Sequence, residues 1–281
     1  MKNNNFAVFI LTHGRPDNVK TYNVIRNRGY TGKIYIIIDN EDPSAKRYYE
    51  KFGDEVIMFN KKEIAETFDE ADNFNDKRAI VYARNASFDI AKKLNIKYFL
   101  QLDDDYIAFH YRLYAIHKPE QIKNLDNIFD MMLDFYKSIP AKSIAMAQGG
   151  DFIGGSENTL AKNPKVKRKC MNSFFCSTER PFKFVGRINE DVNTYTQKAS
   201  IGNLFFTIPI LSLTQASTQS SEGGMTEIYL DKGTYIKSFY SVIFSPSSVK
   251  IALMGDTNMR LHHRVKWASA VPLILNEKHK K

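Results

Sequence analysis

Long hydrophobic runs are missing from this chain. The longest, LFFTIPILSL starting at Leu204, is too short to cross a bilayer. The opening stretch MKNNNFAVFILTHGR has neither the extended apolar region nor the small-residue cleavage site of a signal peptide. No membrane partner is expected, and a cytoplasmic location is. Cysteine is scarce as well: Cys170 and Cys176 stand alone, without the flanking His or Cys of a zinc module, so free thiols are expected. Neither G-x-x-x-x-G-K-[ST] nor G-x-G-x-x-G occurs, which removes the P-loop and dinucleotide fingerprints. Internal repeats, low-complexity segments and composition breaks are also lacking, so the chain reads as a single domain over residues 1–281.

What is present is an ordinary globular balance with a cationic excess. Hydrophobic residues make up 43% and charged residues 25% of 281 positions, enough to bury a real core. The formal net charge of +9 favours a polyanionic partner. Part of that excess is local, because KNPKVKRK places Lys162, Lys165, Lys167, Arg168 and Lys169 in one short stretch.

Two periods alternate through the first hundred residues. FAVFILT reads as a buried strand, and RPDNVKTYNVIRNRG as a helix with Pro16 at its start, Val19, Tyr22 and Ile25 on one face, and Gly29 as its stop. KIYIIID and PSAKRYYEKFG repeat the pair, and EVIMF adds a third strand before a polar stretch, Asn60 to Asn75, expected to be a loop or lid. From Lys77 a helical stripe runs through Ile80, Ala83, Ser87, Ile90 and Leu94, with Asp76 as its N-cap, and KYFLQL is the fourth strand. Strand and helix alternating at these lengths predict an α/β fold with parallel βαβ units and ligands beyond the carboxyl ends of the strands. Further on, PEQIKNLDNIFDMMLDFYKSIP reads as an amphipathic helix, SIAMAQ as a strand, the segment from Gly149 up to FKFVGR as mostly loop, and FKFVGR itself as a strand.

Three consecutive carboxylates, Asp103, Asp104 and Asp105, stand at the end of the fourth strand. Like charges this close raise one another's pKa unless a cation shares the site. Alternation along the backbone turns Asp103 and Asp105 one way and Asp104 the other, so the outer pair can share a hard cation through oxygen. A D-x-D after a strand also occurs in aspartyl-phosphate phosphatases. There it lies on the first strand and is followed by Thr or Val, whereas Ile107 stands here after three strand-helix units. Other strand ends add Thr12, His13 and Arg15, then Asp39, Asn40 and Glu41, groups suited to a nucleotide's base, ribose and phosphates. Arg84 and Asn85 interrupt the stripe of the helix feeding the fourth strand, and Glu190 with Asp191 form a second carboxylate pair before a helical run.

The strand order, ILTHGRPDN, IIDNED, ARN before LQLDDDY and the late RINEDVNTY together resemble a GT-A nucleotide-sugar glycosyltransferase. FAVFILTHGRP, GYTGKIYIIIDNED and RLHHRVKW resemble more narrowly the phage TET-associated glycosyltransferases, thought to decorate oxidised methyl-pyrimidines in DNA. The resemblance implies a GT-A, Rossmann-like, mostly parallel sheet, a nucleotide-sugar half over residues 1–106 and a less regular acceptor half over 107–281. It implies that Thr12, Arg15 and Asp39 hold the nucleoside, with His13, Asn40, Arg84 and Asp104 lining the same donor site. Asp103 would meet the ribose or sugar. Asp105, with Asp103, would ligate Mn²⁺, or Mg²⁺, and His262 or His263 would complete the coordination. Asp191, with Glu190 second, would be the acceptor-side base. Lys165, Lys167, Arg168 and Lys169, with Phe174 and Phe175 nearby, would bind a DNA acceptor whose modified base leaves the stack. The implied reaction moves a sugar from a UDP-sugar to the hydroxyl of 5-hydroxymethylcytosine or a related base, in the host cytoplasm if the chain is phage-encoded. A protein, glycan or small-molecule acceptor, and a non-catalytic DNA-binding module on the same scaffold, are the alternatives.

Overall fold

All six side chains of FAVFIL are buried, so this segment can only be an interior strand covered on both faces, and it forms β1 (Phe6–Leu11). The computed structural model describes residues 4–72, 77–112, 119–148, 170, 173–216, 233, 235–254 and 259–271. Pro16–Asn18 form a single 3₁₀ turn, and the regular helix α1 (Lys20–Asn27) starts only after Val19. Gly29 ends it at φ +78°, a conformation that favours glycine. β2 (Lys33–Asp39), α2 (Ala45–Phe52) and β3 (Val56–Phe59) follow at the expected places.

The stretch after β3 departs from the expected loop. Asn60 accepts from the backbone N–H groups of Lys62 and Glu63 and thereby caps a short helix, α3 (Lys61–Ala65). Helix α4 (Val81–Lys93) leads into β4 (Tyr98–Asp103), and the proposed cap Asp76 lies outside the described residues. Every residue of α4 from Val81 to Phe88 is buried, so Arg84 and Asn85 face protein rather than water. Next come β5 (Tyr106–Tyr111) and β6 (Glu120–Gln121), neither legible in the sequence. β6 takes residues that the helical pattern assigned to the next helix, because Glu120 and Gln121 pair with Tyr111 and His110. Asn124 then caps α5 (Leu125–Ser138).

β7 (Ala141–Gln148) agrees with the expected strand, whereas β8 (Ser173–Ser177) emerges from a segment read as loop. FKFVGR, read as a strand, has no ladder partner among the described residues. Side chains and loops take its backbone: Phe184 exchanges two hydrogen bonds with Asn85, Val185 N–H donates to Thr194, and Gly186 N–H donates to the carbonyl of Asp69. α6 (Glu190–Ser200), β9 (Leu204–Gln215), α7 (Ile236–Phe244), β10 (Val249–Met254) and β11 (Arg260–Val265) complete the described elements.

The main sheet has the order β3-β2-β1-β4-β8-β7-β9-β5-β6. Its first four strands are all parallel, as are β7 and β9, while the remaining neighbours are antiparallel. One apolar layer on α1, α2 and α5 covers one face, and a second on α4 and α6 covers the other. β10 and β11 form a separate antiparallel ribbon. Both cysteines are free and buried, and burial pushes their thiols up, away from reactivity. Among the described residues no helix is long and apolar enough to cross a membrane.

Candidate functional site

Because β1, β2, β3 and β4 are parallel, their carboxyl ends open on one edge of the sheet, and the polar residues that follow them gather there. Thr21 on α1 fixes the acidic turn after β4. Its hydroxyl donates to the carbonyl of Asp103 at 2.6 Å and accepts from Tyr106 N–H, while its own N–H donates to the carbonyl of Asp104.

The three carboxylates go to three different sets of partners. Asp104, almost fully buried, accepts from the Thr12 hydroxyl at 2.6 Å and from Arg15 at 3.3 Å, and Tyr48 ties the same loop through Thr12 and Arg15 N–H. Asp103 Oδ1 accepts from Arg84 Nη2 at 2.9 Å, and Arg84 Nε donates to Glu190 Oε1 at 2.8 Å. Asp105 Oδ2 accepts from Gln215, whereas its Oδ1 is buried without a partner among the described residues. Burial pushes all three carboxyls up; Arg84 pulls against it at Asp103, Arg15 at Asp104 and Gln215 at Asp105. Arg84 is only 1% exposed, yet attraction to Asp103 and Glu190 outweighs burial and keeps it charged.

A second cluster lies at the ends of β2 and β3. His13 Nδ1 is 2.7 Å from Asp39 Oδ2, Lys61 Nζ is 2.9 Å from Asp39 Oδ1, and Asn40 accepts from the N–H of Lys61. Asp42 accepts from Gly14 N–H. Lys61, Asp42, Tyr48, Thr21 and Gln215 were not legible as site residues. Lys61 sits in the polar stretch read as a lid, and only the parallel pairing of β3 brings it beside Asp39.

The family model of the TET-associated glycosyltransferases matches residues 6–224, a span that holds both clusters. The chain belongs to the TET-associated glycosyltransferase family. This glycosyltransferase has an α/β fold of the expected kind, and its chemistry is transfer of a glycosyl group. No curated protein matches it. Among solved structures it is similar to glucosyl-3-phosphoglycerate synthase from Mycobacterium tuberculosis, crystallised with Mn²⁺, UDP and phosphoglyceric acid. There the TM-score is 0.42 at 8% identity, over 96% of this chain and 88% of that one. It is similar also to S. aureus TarS, with a TM-score of 0.45 at 8% identity, over 83% of this chain and 39% of the longer TarS chain.

Glu190 and Asp191, expected as the acceptor-side pair, open α6 of the glycosyltransferase, where exposed amides favour carboxylates. Glu190 is committed to Arg84, and Asp191 Oδ1 accepts from Val192 N–H at 2.7 Å. His262 and His263 lie on β11; His263 is buried, with Asn189 Nδ2 3.5 Å from its Nδ1. Among the described residues no three His, Cys, Asp or Glu side chains form a group that could by itself hold a metal ion. Phe174 and Phe175 are interior residues of β8, so they are core rather than DNA-facing rings. Arg180 is likewise structural, donating to the carbonyls of Tyr136, Ile139 and Ala141. Lys165, Lys167, Arg168 and Lys169 lie outside the described residues.

Proposed function

We propose that this chain is a metal-dependent, GT-A-type enzyme that transfers a sugar from a nucleotide-sugar, a UDP-sugar first, to the hydroxyl of 5-hydroxymethylcytosine or a related modified pyrimidine in phage DNA. The observation that carries the donor side is the acidic turn itself: three carboxylates pushed up by burial, with Asp105 Oδ1 unpartnered among the described residues, at the carboxyl end of a parallel strand. Such an orphaned oxygen beside a like-charged neighbour fits a hard divalent cation. Mn²⁺ and Mg²⁺ are commonly held by one or two carboxylates plus substrate phosphates, so a larger protein cage is not required. Asp105, with Asp103 beside it, would hold that ion, which when bound neutralises charge developing on the leaving diphosphate.

The chain's own residues supply the rest. Arg15 and Thr12 hold Asp104 and set the backbone of the donor loop, while His13, Asp39 and Lys61 line the end of β2, where a nucleoside fits. Arg84 fixes Asp103 against Glu190, and Asp191, next to Glu190 at the start of α6, is the acceptor-side carboxylate that would take the hydroxyl proton. The net charge of +9 and the family's TET association support DNA as the acceptor.

The deciding experiment incubates the protein with assorted UDP-sugars and Mn²⁺ on hydroxymethylated and unmodified DNA, then weighs the released nucleosides. A hexose or pentose mass added only to the modified base is the expected result. Transfer to a protein or glycan but never to DNA would replace the acceptor, and DNA affinity without turnover of any donor would reduce the chain to a binding module.

A further inference from the structure

The ribbon of β10 and β11 lies beyond residue 224, where the family match ends, and it stands apart from the main sheet. Its register sorts the side chains sharply. Lys250 pairs with Arg264 and Ala252 with His262 on one face, which Arg260 also shares, while Val249 pairs with Val265, Ile251 with His263 and Leu253 with Leu261 on the other. Val249 and His263 on the second face are buried against the body of the protein, where α7 packs on both strands. On the first face Lys250, Arg260 and Arg264 are exposed, and Lys266 is exposed just past the strand's end.

Among its described residues the ribbon carries no carboxylate. Between Val249 and Val271 the sequence holds a single carboxylate, Asp256, which lies outside the described residues. Among the described residues Lys250, Arg260 and Arg264 have no ion-pair partner. Lys250 and Arg264 stand directly opposite each other, an arrangement that like charges destabilise in a ladder. A fold that tolerates this repulsion gains nothing from it internally, which points to an external polyanion.

We infer that the exposed face of the β10–β11 ribbon binds the phosphate backbone of duplex DNA. A two-stranded ribbon is one of the two elements that the major groove of B-DNA, roughly 12 Å wide, admits. At about 3.3 Å per residue, Arg260 and Arg264 are separated by about 13 Å, which spreads the charge along a backbone rather than onto one phosphate. The ribbon's inner face ties this surface to the acceptor side. Asn189, the residue before Glu190, donates to Ser241 of α7 at 2.6 Å and approaches His263 at 3.5 Å. Trp267, beyond β11, stacks on Tyr195 of α6 with ring centroids 5.7 Å apart. DNA held on the ribbon is thereby docked on the helix that opens with the Glu190–Asp191 pair. The inference takes its partner from the DNA-acceptor reading, but it concerns binding, which needs neither donor nor turnover.

The test measures affinity for an unmodified 30-base-pair duplex across a salt series, without donor, using the full chain and the triple variant Lys250→Gln, Arg260→Gln, Arg264→Gln. Each lost phosphate contact removes about 0.9 from the slope of log affinity against log salt, so the slope falls by about 2 to 3 in the variant. Thermal stability is retained or rises, because a repulsive cross-strand pair has gone, and this separates lost binding from lost structure. An unchanged slope and affinity would overturn the assignment, as would a wild-type chain with no affinity for the duplex. A third arm uses vesicles of phosphatidylcholine and phosphatidylserine. If the variant loses vesicle binding while its DNA slope stands, the face belongs to an anionic membrane and the assignment fails. A reduced slope in a protein that transfers no sugar to DNA would leave the ribbon assignment standing and remove only the acceptor reading.

Discussion

Arg84 Nη2 donates to Asp103 Oδ1 at 2.9 Å from a position that is only 1% exposed, and the same guanidinium holds Glu190 on the far side. One buried cation therefore joins the acidic turn to the first residue of α6. Arg84→Met leaves two carboxylates buried without their partner, and breaking a buried pair in this way costs about 3–5 kcal/mol. Urea unfolding checks the size of the loss. Arg84→Lys, which keeps the charge but not the planar fork, is expected to recover part of it.

Asp105 has the opposite character, since its carboxylate is strained by burial and only half satisfied. Asp105→Asn keeps the shape and an oxygen able to accept from Gln215 while removing the charge. The melting temperature is expected to hold or rise while sugar transfer falls on the order of 100-fold, the scale at which a preorganised electrostatic group contributes. Near-normal turnover in this variant would count against a cation at the turn.

The two carboxylates that open α6 are expected to separate under mutation. Asp191→Asn should lower kcat for transfer with little change in the KM for donor, as loss of a proton acceptor does. Glu190→Gln keeps a hydrogen-bond acceptor for Arg84 but removes a charge from a buried pair, so it should appear first as lost stability. Steady-state kinetics beside thermal unfolding of both variants distinguishes the two roles.

The His13–Asp39 pair gives the loops after β1 and β2 a pH dependence. The hydrogen bond to Asp39 raises His13 above its ordinary 6.5, against a smaller opposing effect of burial. Burial alone would raise Asp39, but hydrogen bonds from His13 and Lys61 outweigh it and hold the carboxyl below its ordinary 3.8. The His13 contribution is fully present below pH 6.5 and is lost as pH rises through its raised value. The Asp39 contribution is present above 3.8 and is lost as pH falls through the depressed value. His13→Gln should therefore cost stability at pH 5 to 6 and progressively less on the alkaline side, read from denaturant unfolding at stepped pH. Because the His13 side chain is 39% exposed, solvent screens the pair and the difference is expected to be small.

The sequence by itself determined the parallel half of this protein. FAVFIL, KIYIIID and KYFLQL are short apolar runs bounded by helical periods, and that local pattern is enough to form β1, β2 and β4 and to place Thr12, Asp39 and Asp103–Asp105 at one edge. Tertiary structure alone decided β5, β6 and β8. Glu120 and Gln121 left a helical pattern to pair with β5, and Phe174 and Phe175 left an apparent loop to become β8 between β4 and β7. FKFVGR gave up a strand-like pattern to the side chains of Asn85 and Thr194. The physical reason is the same in each case. Helix and buried-strand periods are set by neighbours along the chain, whereas an antiparallel partner or a buried ion pair such as Arg84 with Asp103 and Glu190 depends on residues up to about a hundred positions away, and no local period encodes that.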